Sequence, residues 1–458
     1  RLDRRWLVAA TALIAFLLSF AINLSQIRET TFHPDESRWI NRAHYLTDLD
    51  TPLGRAWADR YLLRGQPPFG SYVTALGLIL QGHDTDTNEP FDFHFGNERQ
   101  INWEAGHNAI PSQADLLAAR RTNAFIGALT SALIVIVLAK ITNLAGAIVG
   151  GLFVLTNDLH QYLSSTALSD ATLGFILVLT TLLVMRLVAR PGWGKTLGLG
   201  ILIGCGMAAK LSPIALSLGL AGIGVAFLIR PWLREIPYVG RLVDYLANGA
   251  EQRTDRLAWM FLSLPAITAA TFVLLYPFVW SSPYSRTRIL FDFRAQEMAS
   301  QSRIWPDRAV IGRFDALRTL WHVFQEQYPT TGRLFDWLAG LGVFPNGVPS
   351  IDIALAGVGL VLAVVAVIRT GVATPLAFAF ILLGGQAAAI VAGLRVDFNR
   401  YYLPIVLFVA LCIGFFAGEV TRAVARWLTE RQAARGHTGQ SQSGSDFGTP
   451  MPVPQEPR

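Results

Sequence analysis

About ten separated apolar runs, most of them long enough to cross a bilayer, set the limits on what this chain can fold into. A spanning helix needs roughly 17–25 apolar residues, and only helices and closed barrels satisfy their backbone groups in lipid. The runs cover 6–25, 122–139, 145–162, 171–187, 196–209, 212–229, 257–280, 353–368, 373–394 and 401–418. The fifth and sixth together exceed one crossing, and Lys210 and Pro213 mark a turn between them. Arg4 and Arg5 before the first run imitate a cleaved leader, but its length and lack of a small-residue cleavage site read as a retained helix. Only 15% of the 458 residues are charged, against about 25% in an average soluble domain. That deficit excludes an ordinary soluble enzyme, a disordered chain and a nucleic-acid partner, although the net charge is +6. The expected architecture is an all-α polytopic membrane protein.

Short loops carrying arginine and lysine mark the cytoplasmic side. Arg4 and Arg5, Lys140, Arg186 and Arg190, Arg230 and Arg234, Arg369 and Arg422 fall on one side of a ten-span path. Both termini are therefore expected in the cytoplasm. The other side holds two long segments, 26–121 and 281–352. Within the first, 35–49 and 66–81 read as helices at the membrane surface, the second opened by Pro67-Pro68, and 82–113 reads as an ordered loop. The expected organisation is one membrane domain over 1–434 and a cytoplasmic tail over 435–458, whose Gly, Ser, Gln and Pro content predicts disorder.

Three groups of residues on the exoplasmic side can carry chemistry. Asp35 and Glu36, in His33-Pro34-Asp35-Glu36, stand just beyond the first run. They can cap the helix that starts there, bind a divalent cation, or supply a general base to a hydroxyl. Asp170 opens the fourth run, where it is either a helix cap or a functional acid. Lys210, Arg400 with its neighbour Tyr401, and Arg120-Arg121 stand at run ends on the same side. Each alone is explained by reaching for lipid headgroups; several converging on the acid-bearing face suit a phosphate. Glycines 198, 200, 204 and 206 lie inside a run and suit close helix packing rather than nucleotide binding.

Taken in order, these features resemble the polytopic glycosyltransferases of the GT-C fold, in particular the protein O-mannosyltransferases and the lipid A aminoarabinose transferase. The acidic pair is HPDE. The Pro-Pro surface helix is QPPFGSYVTALG, the second span opens with AARRTNAFIGAL, and the hinge acid sits in ALSDATLGF. The Gly-rich span ending in lysine is GLGILIGCGMAAKLSP, and a late span opens with NRYYLPIVLF. One departure is Ala171-Thr172 where the family has proline after the hinge acid. The resemblance implies a GT-C-like bundle of about ten transmembrane helices with surface helices in a large first exoplasmic loop. It implies inverting transfer of a sugar from a polyprenyl-phosphate carrier to a hydroxyl acceptor (protein, glycolipid or cell-wall glycan) at the exoplasmic face of a bacterial inner membrane. Asp35 matches the catalytic base, Glu36 a supporting acid and Asp170 a second functional acid. Lys210 and Arg400, with Tyr401 beside them and Arg121 as a lesser contact, would hold the donor phosphate. No cofactor is required by such a step, while Asp35 and Glu36 remain able to bind a divalent cation. The competing readings are a secondary transporter or lipid-carrier flippase, which would place charges near the midplane, and a non-catalytic envelope assembly subunit.

Overall fold

The computed structural model describes residues 3–91, 97–236, 240 and 251–440. Among these residues the regular structure is helical, with one isolated antiparallel bridge between Ala309 and Val396. Eight helices are long and apolar enough to cross a membrane: Arg4–Gln26, Gln113–Ile141, Asp170–Ala189, Ile214–Arg234, Arg253–Leu275, Asp352–Thr370, Pro375–Gly393 and Asn399–Gln432. The two other expected spans are shorter apolar helices, Leu144–Thr156 and Trp193–Ala209.

The third run is the clearest difference from the sequence reading. It breaks at Asn157 into Leu144–Thr156 and Asp158–Ser165. Thirteen residues rise only about 20 Å, short of a hydrocarbon core of about 30 Å. Asn157 sits in an extended conformation, and its side chain accepts from the His160 backbone N–H at 3.1 Å and donates to Thr330 Oγ1 at 2.9 Å. An asparagine followed by an aspartate is an N-cap signal, and apolar content across it hides the break.

The order of layers follows from which helices must hide both faces. Gln113–Ile141, Asp170–Ala189 and the last helix are 72%, 78% and 72% buried over their apolar windows, whereas Arg4–Gln26 and Asp352–Thr370 are 22% and 17% buried. The first three form the centre of the bundle, and the other two form its lipid-facing periphery. Small residues let neighbouring helices approach the backbone of the last one. A Cβ on Gly146 would fall 2.3 Å from the Gly414 carbonyl oxygen, and one on Gly359 would fall 2.1 Å from that of Cys412. Glycine in these spans therefore serves packing.

The two long segments read as exoplasmic are helical as well. The first contains Pro34–Asn41 and Phe69–Leu80, near the two expected surface helices. A further helix, Asn97–Gly106, occupies part of the stretch read as an ordered loop. His94 lies outside the described residues. The second segment folds into Pro283–Ile304, Gly312–His322 and Thr330–Gly340. It is tied to the hinge before the last helix: Val310 N–H donates to the Arg395 carbonyl at 2.9 Å, and Asp397 N–H to the Arg308 carbonyl at 2.7 Å. The last helix runs on to Gln440, and 441–458 lie outside the described residues.

Replacing Gly359 by valine forces a side chain into the Cys412 backbone. Overpacking of this kind costs about 1–3 kcal/mol. Thermal unfolding of the purified protein should show a clear drop for Gly359→Val and little change for Gly357→Ala, whose Cβ meets open space.

Candidate active site

The site starts with a turn that the sequence builds locally. Pro34 fixes the first position of the helix Pro34–Asn41. His33 caps it, its Nδ1 accepting from the Asp35 backbone N–H at 3.1 Å, while the Glu36 carboxylate accepts from the His33 backbone N–H at 2.9 Å. The capping role foreseen for the acidic pair therefore belongs to Glu36, and Asp35 is left to face outward from the turn.

Glu36 is fully buried and bidentate with Arg120, at 2.8 Å from Nε and 2.7 Å from Nη2. Its Oε1 also accepts from the Ala167 backbone N–H at 2.8 Å. Arg120 donates further to the carbonyls of Ile27, Thr30 and Thr31. One ion pair thus joins the end of the first helix, the Asp35 turn, the second span and the hinge before Asp170. Asn123, one turn along from Arg120, holds the same hinge through the Thr166 and Leu168 carbonyls, at 2.5 and 2.6 Å.

Two acid–cation pairs stand on this frame. Asp35 is ion-paired with Arg400. Burial on its own would raise the Asp35 pKa; Arg400, His33 and Arg38 outweigh it and hold the carboxyl below its ordinary value. Asp170, 2% exposed, accepts from Lys210 Nζ at 2.5 Å. The Tyr401 ring lies between the cations, with Lys210 Nζ and the Arg400 guanidinium each 5.8 Å from its centroid. Arg294, from the helix Pro283–Ile304, donates to the Tyr401 hydroxyl at 3.1 Å and pairs with Glu297 at 2.6 Å.

Asp170, Lys210, Arg294, Arg400 and Tyr401 line a cavity of about 430 Å³. Its remaining wall is largely apolar, with Leu173, Ile214, Ile390 and Pro404 contributed by spans. The site lies at one end of the bundle, where the first helix ends and the Asp170 helix begins. A cavity that joins an apolar wall between spans to a cluster of cations can take a lipid chain and its phosphate together.

Sequence reasoning located Asp35, Asp170, Lys210, Arg400 and Tyr401 in one neighbourhood. It named Arg120 and Arg121 together and assigned only Arg121 to the phosphate. Arg121 is exposed, because one step along a helix turns the side chain by about 100°, and Arg120 takes the inward face. A cation shared by Asp35 and Glu36 does not fit this geometry. The Glu36 oxygens are taken by Arg120 and two backbone N–H groups, Asp35 faces Arg400, and no group of three or more potential ligands occurs among the described residues. Arg294 was missed, since nothing in its local sequence separates it from the other arginines of 281–352. Trp305 packs edge-on against Phe398 and Trp321 is exposed; neither lines the cavity, and nor does Tyr328.

Residues 58–275 match the family model described as dolichyl-phosphate-mannose-protein mannosyltransferase, a stretch that includes Asp170 and Lys210. No curated protein sequence matches the chain. Among solved structures, the oligosaccharyltransferase AglB of Archaeoglobus fulgidus, in complex with an inhibitory peptide and a dolichol-phosphate, superposes with a TM-score of 0.50. The match has 11% identity and covers 94% of this chain and 52% of that one. The chain has the GT-C fold. It spans about half the length of the archaeal GT-C enzyme. ArnT of Cupriavidus metallidurans bound to undecaprenyl phosphate has a TM-score of 0.46, with 16% identity over 90% of this chain and 59% of that chain. The protein O-mannosyltransferase Pmt1-Pmt2 complex of S. cerevisiae bound to the sugar donor has a TM-score of 0.42, with 17% identity over 62% of this chain and 34% of that chain.

Removing one partner of a buried ion pair costs about 3–5 kcal/mol. Arg120→Met and Glu36→Leu should each lower thermal stability sharply, and the double variant should recover part of the loss. Arg121→Ala should melt like the parent.

Proposed function

We propose that this chain is an inverting membrane glycosyltransferase, moving a sugar from a polyprenyl-phosphate carrier to a hydroxyl acceptor on the exoplasmic face. The observation that carries this reading is the pairing of Asp35 with Arg400 and of Asp170 with Lys210 at one end of the bundle, with both cations on the wall of one cavity. The GT-C fold and the family model support it. The acceptor hydroxyl belongs to a protein, a glycolipid or a cell-wall glycan. The distribution of arginine and lysine in short loops supports cytoplasmic termini and an exoplasmic site, and the chain's length and family resemblance support a bacterial inner membrane.

In this reading the carrier lipid enters along the apolar wall and its phosphate reaches Lys210 and Arg400. Each cation gives one N–H group to a carboxylate and keeps others for phosphate oxygens. The acceptor oxygen attacks the anomeric carbon, the bond from that carbon to the phosphate oxygen breaks, and the proton of the acceptor passes to Asp35. Charge developing on the leaving phosphate is met by preorganised cations in a site of low dielectric, which is where such stabilisation is strongest. Asp170 holds Lys210 in place and limits its motion. Phosphate drawn to Arg400 shares that guanidinium with Asp35, which raises the basicity of the carboxylate once the donor is bound. The step uses no resident cofactor.

The test is label transfer from a panel of radiolabelled polyprenyl-phosphate sugars to a crude envelope acceptor extract, with the protein in nanodiscs. Asp35→Asn should lose at least about 100-fold in transfer while still binding donor. Lys210→Ala and Arg400→Ala should weaken donor binding. Donor binding that survives in every variant, or transfer that survives in Asp35→Asn, would contradict the assignment. The pH profile is a further check. A depressed carboxyl stays ionised down through mild acid, so kcat/KM should be flat from about pH 8 to about pH 5 and fall only below that. A limb centred near pH 6–7 would assign the base to a histidine instead.

A further inference from the structure

Ser169 precedes the first residue of the Asp170 helix, the position at which a serine side chain ordinarily accepts from the helix backbone. Here it makes no such bond. Its hydroxyl is buried and has no hydrogen-bond partner, and the residue lines the cavity beside Asp170. Gln66 lines the same cavity, and its carbonyl oxygen is also buried and unpartnered. Buried polar atoms are almost always satisfied, and two unpartnered ones in residues that line one cavity suit a polar ligand held there.

Their proximity is built into the fold. Gly70, the second residue of the helix that follows Gln66-Pro67-Pro68, packs on Ser169 so closely that a Cβ would fall 2.6 Å from the serine Cβ. The same Cβ would fall 3.1 Å from Trp39 Cζ3. Trp39 lines the cavity too, and the Arg42 guanidinium lies 5.0 Å from its ring centroid. Gly70 therefore holds Ser169 against Trp39, and Gln66, four residues before it, lines the same cavity.

We infer that Trp39, Gln66 and Ser169 form the subsite for the transferred sugar ring, with Ser169 and Gln66 bonding its hydroxyl groups and Trp39 lying against its apolar surface. The inference rests on the donor reading of the cavity given above. The chemistry suits neutral hydroxyls. Asp170, the carboxylate on the cavity wall, is already paired with Lys210, so an amino sugar finds no free acid there.

The test compares the affinity of the protein in nanodiscs for bare undecaprenyl phosphate and for a panel of undecaprenyl-phosphate sugars that includes mannose, glucose, arabinose and an aminoarabinose. Wild type should bind at least one neutral-sugar lipid more tightly than bare lipid. Ser169→Ala and Gln66→Ala should each reduce that preference by roughly 2- to 10-fold, as expected for loss of one neutral hydrogen bond, and the double variant should abolish it. Bare-lipid affinity should be unchanged in all three, which also shows that they fold. Equal affinity of wild type for bare and sugar-bearing lipids would overturn the subsite, as would variants that weaken both alike or a preference for the aminoarabinose lipid. Binding of neither lipid by wild type would instead overturn the donor reading beneath it.

Discussion

The buried pair of Glu36 and Arg120 is the interaction on which the rest of this structure depends. A bidentate guanidinium–carboxylate contact with no exposed face is costly to desolvate, and it persists because every remaining donor and acceptor is used. Arg120 reaches three carbonyls after the first helix, and Glu36 reaches the hinge that leads to Asp170. Asp35 and Asp170 belong to segments distant in sequence, yet one ion pair fixes both. The chemistry proposed here needs that arrangement, because a base and a phosphate-binding cation misplaced by an ångström lose much of their effect.

The second constraint is lipid. Helices must satisfy their own backbones inside the bilayer, so irregular chain is confined to the ends of the bundle. Lys210 ends one helix, Asp170 begins another, and Arg400 sits in the short turn before the last. Charges that are too expensive at the midplane collect at these ends. A site at one face is thus a consequence of the bilayer as much as of function. It also separates this arrangement from a transporter, whose charged sites are expected near the midplane.

Much of the fold was legible because hydropathy and helix geometry act locally. Runs such as 171–187 and 212–229 became helices close to their expected bounds, and the acids and cations of the site lay at run ends where alternation of sides could group them. What was not legible is the consequence of rotation and of contact. Arg120 and Arg121 are equivalent as letters and differ by one step of helix phase, which only the neighbours of that helix decide. Glu36 looked like a partner of Asp35 and turned out to be its scaffold, since nothing local reveals an arginine 84 residues away. Ser169 and Gln66 gave no signal, because a missing hydrogen bond is visible only once every neighbour is in place.

A single in-line displacement with Asp35 as base inverts the anomeric centre. The anomeric configuration of the transferred sugar, determined by NMR on the product and compared with that of the donor, reads this out. Inversion is the expected result. Retention would require a covalent or front-face route and would contradict a single displacement.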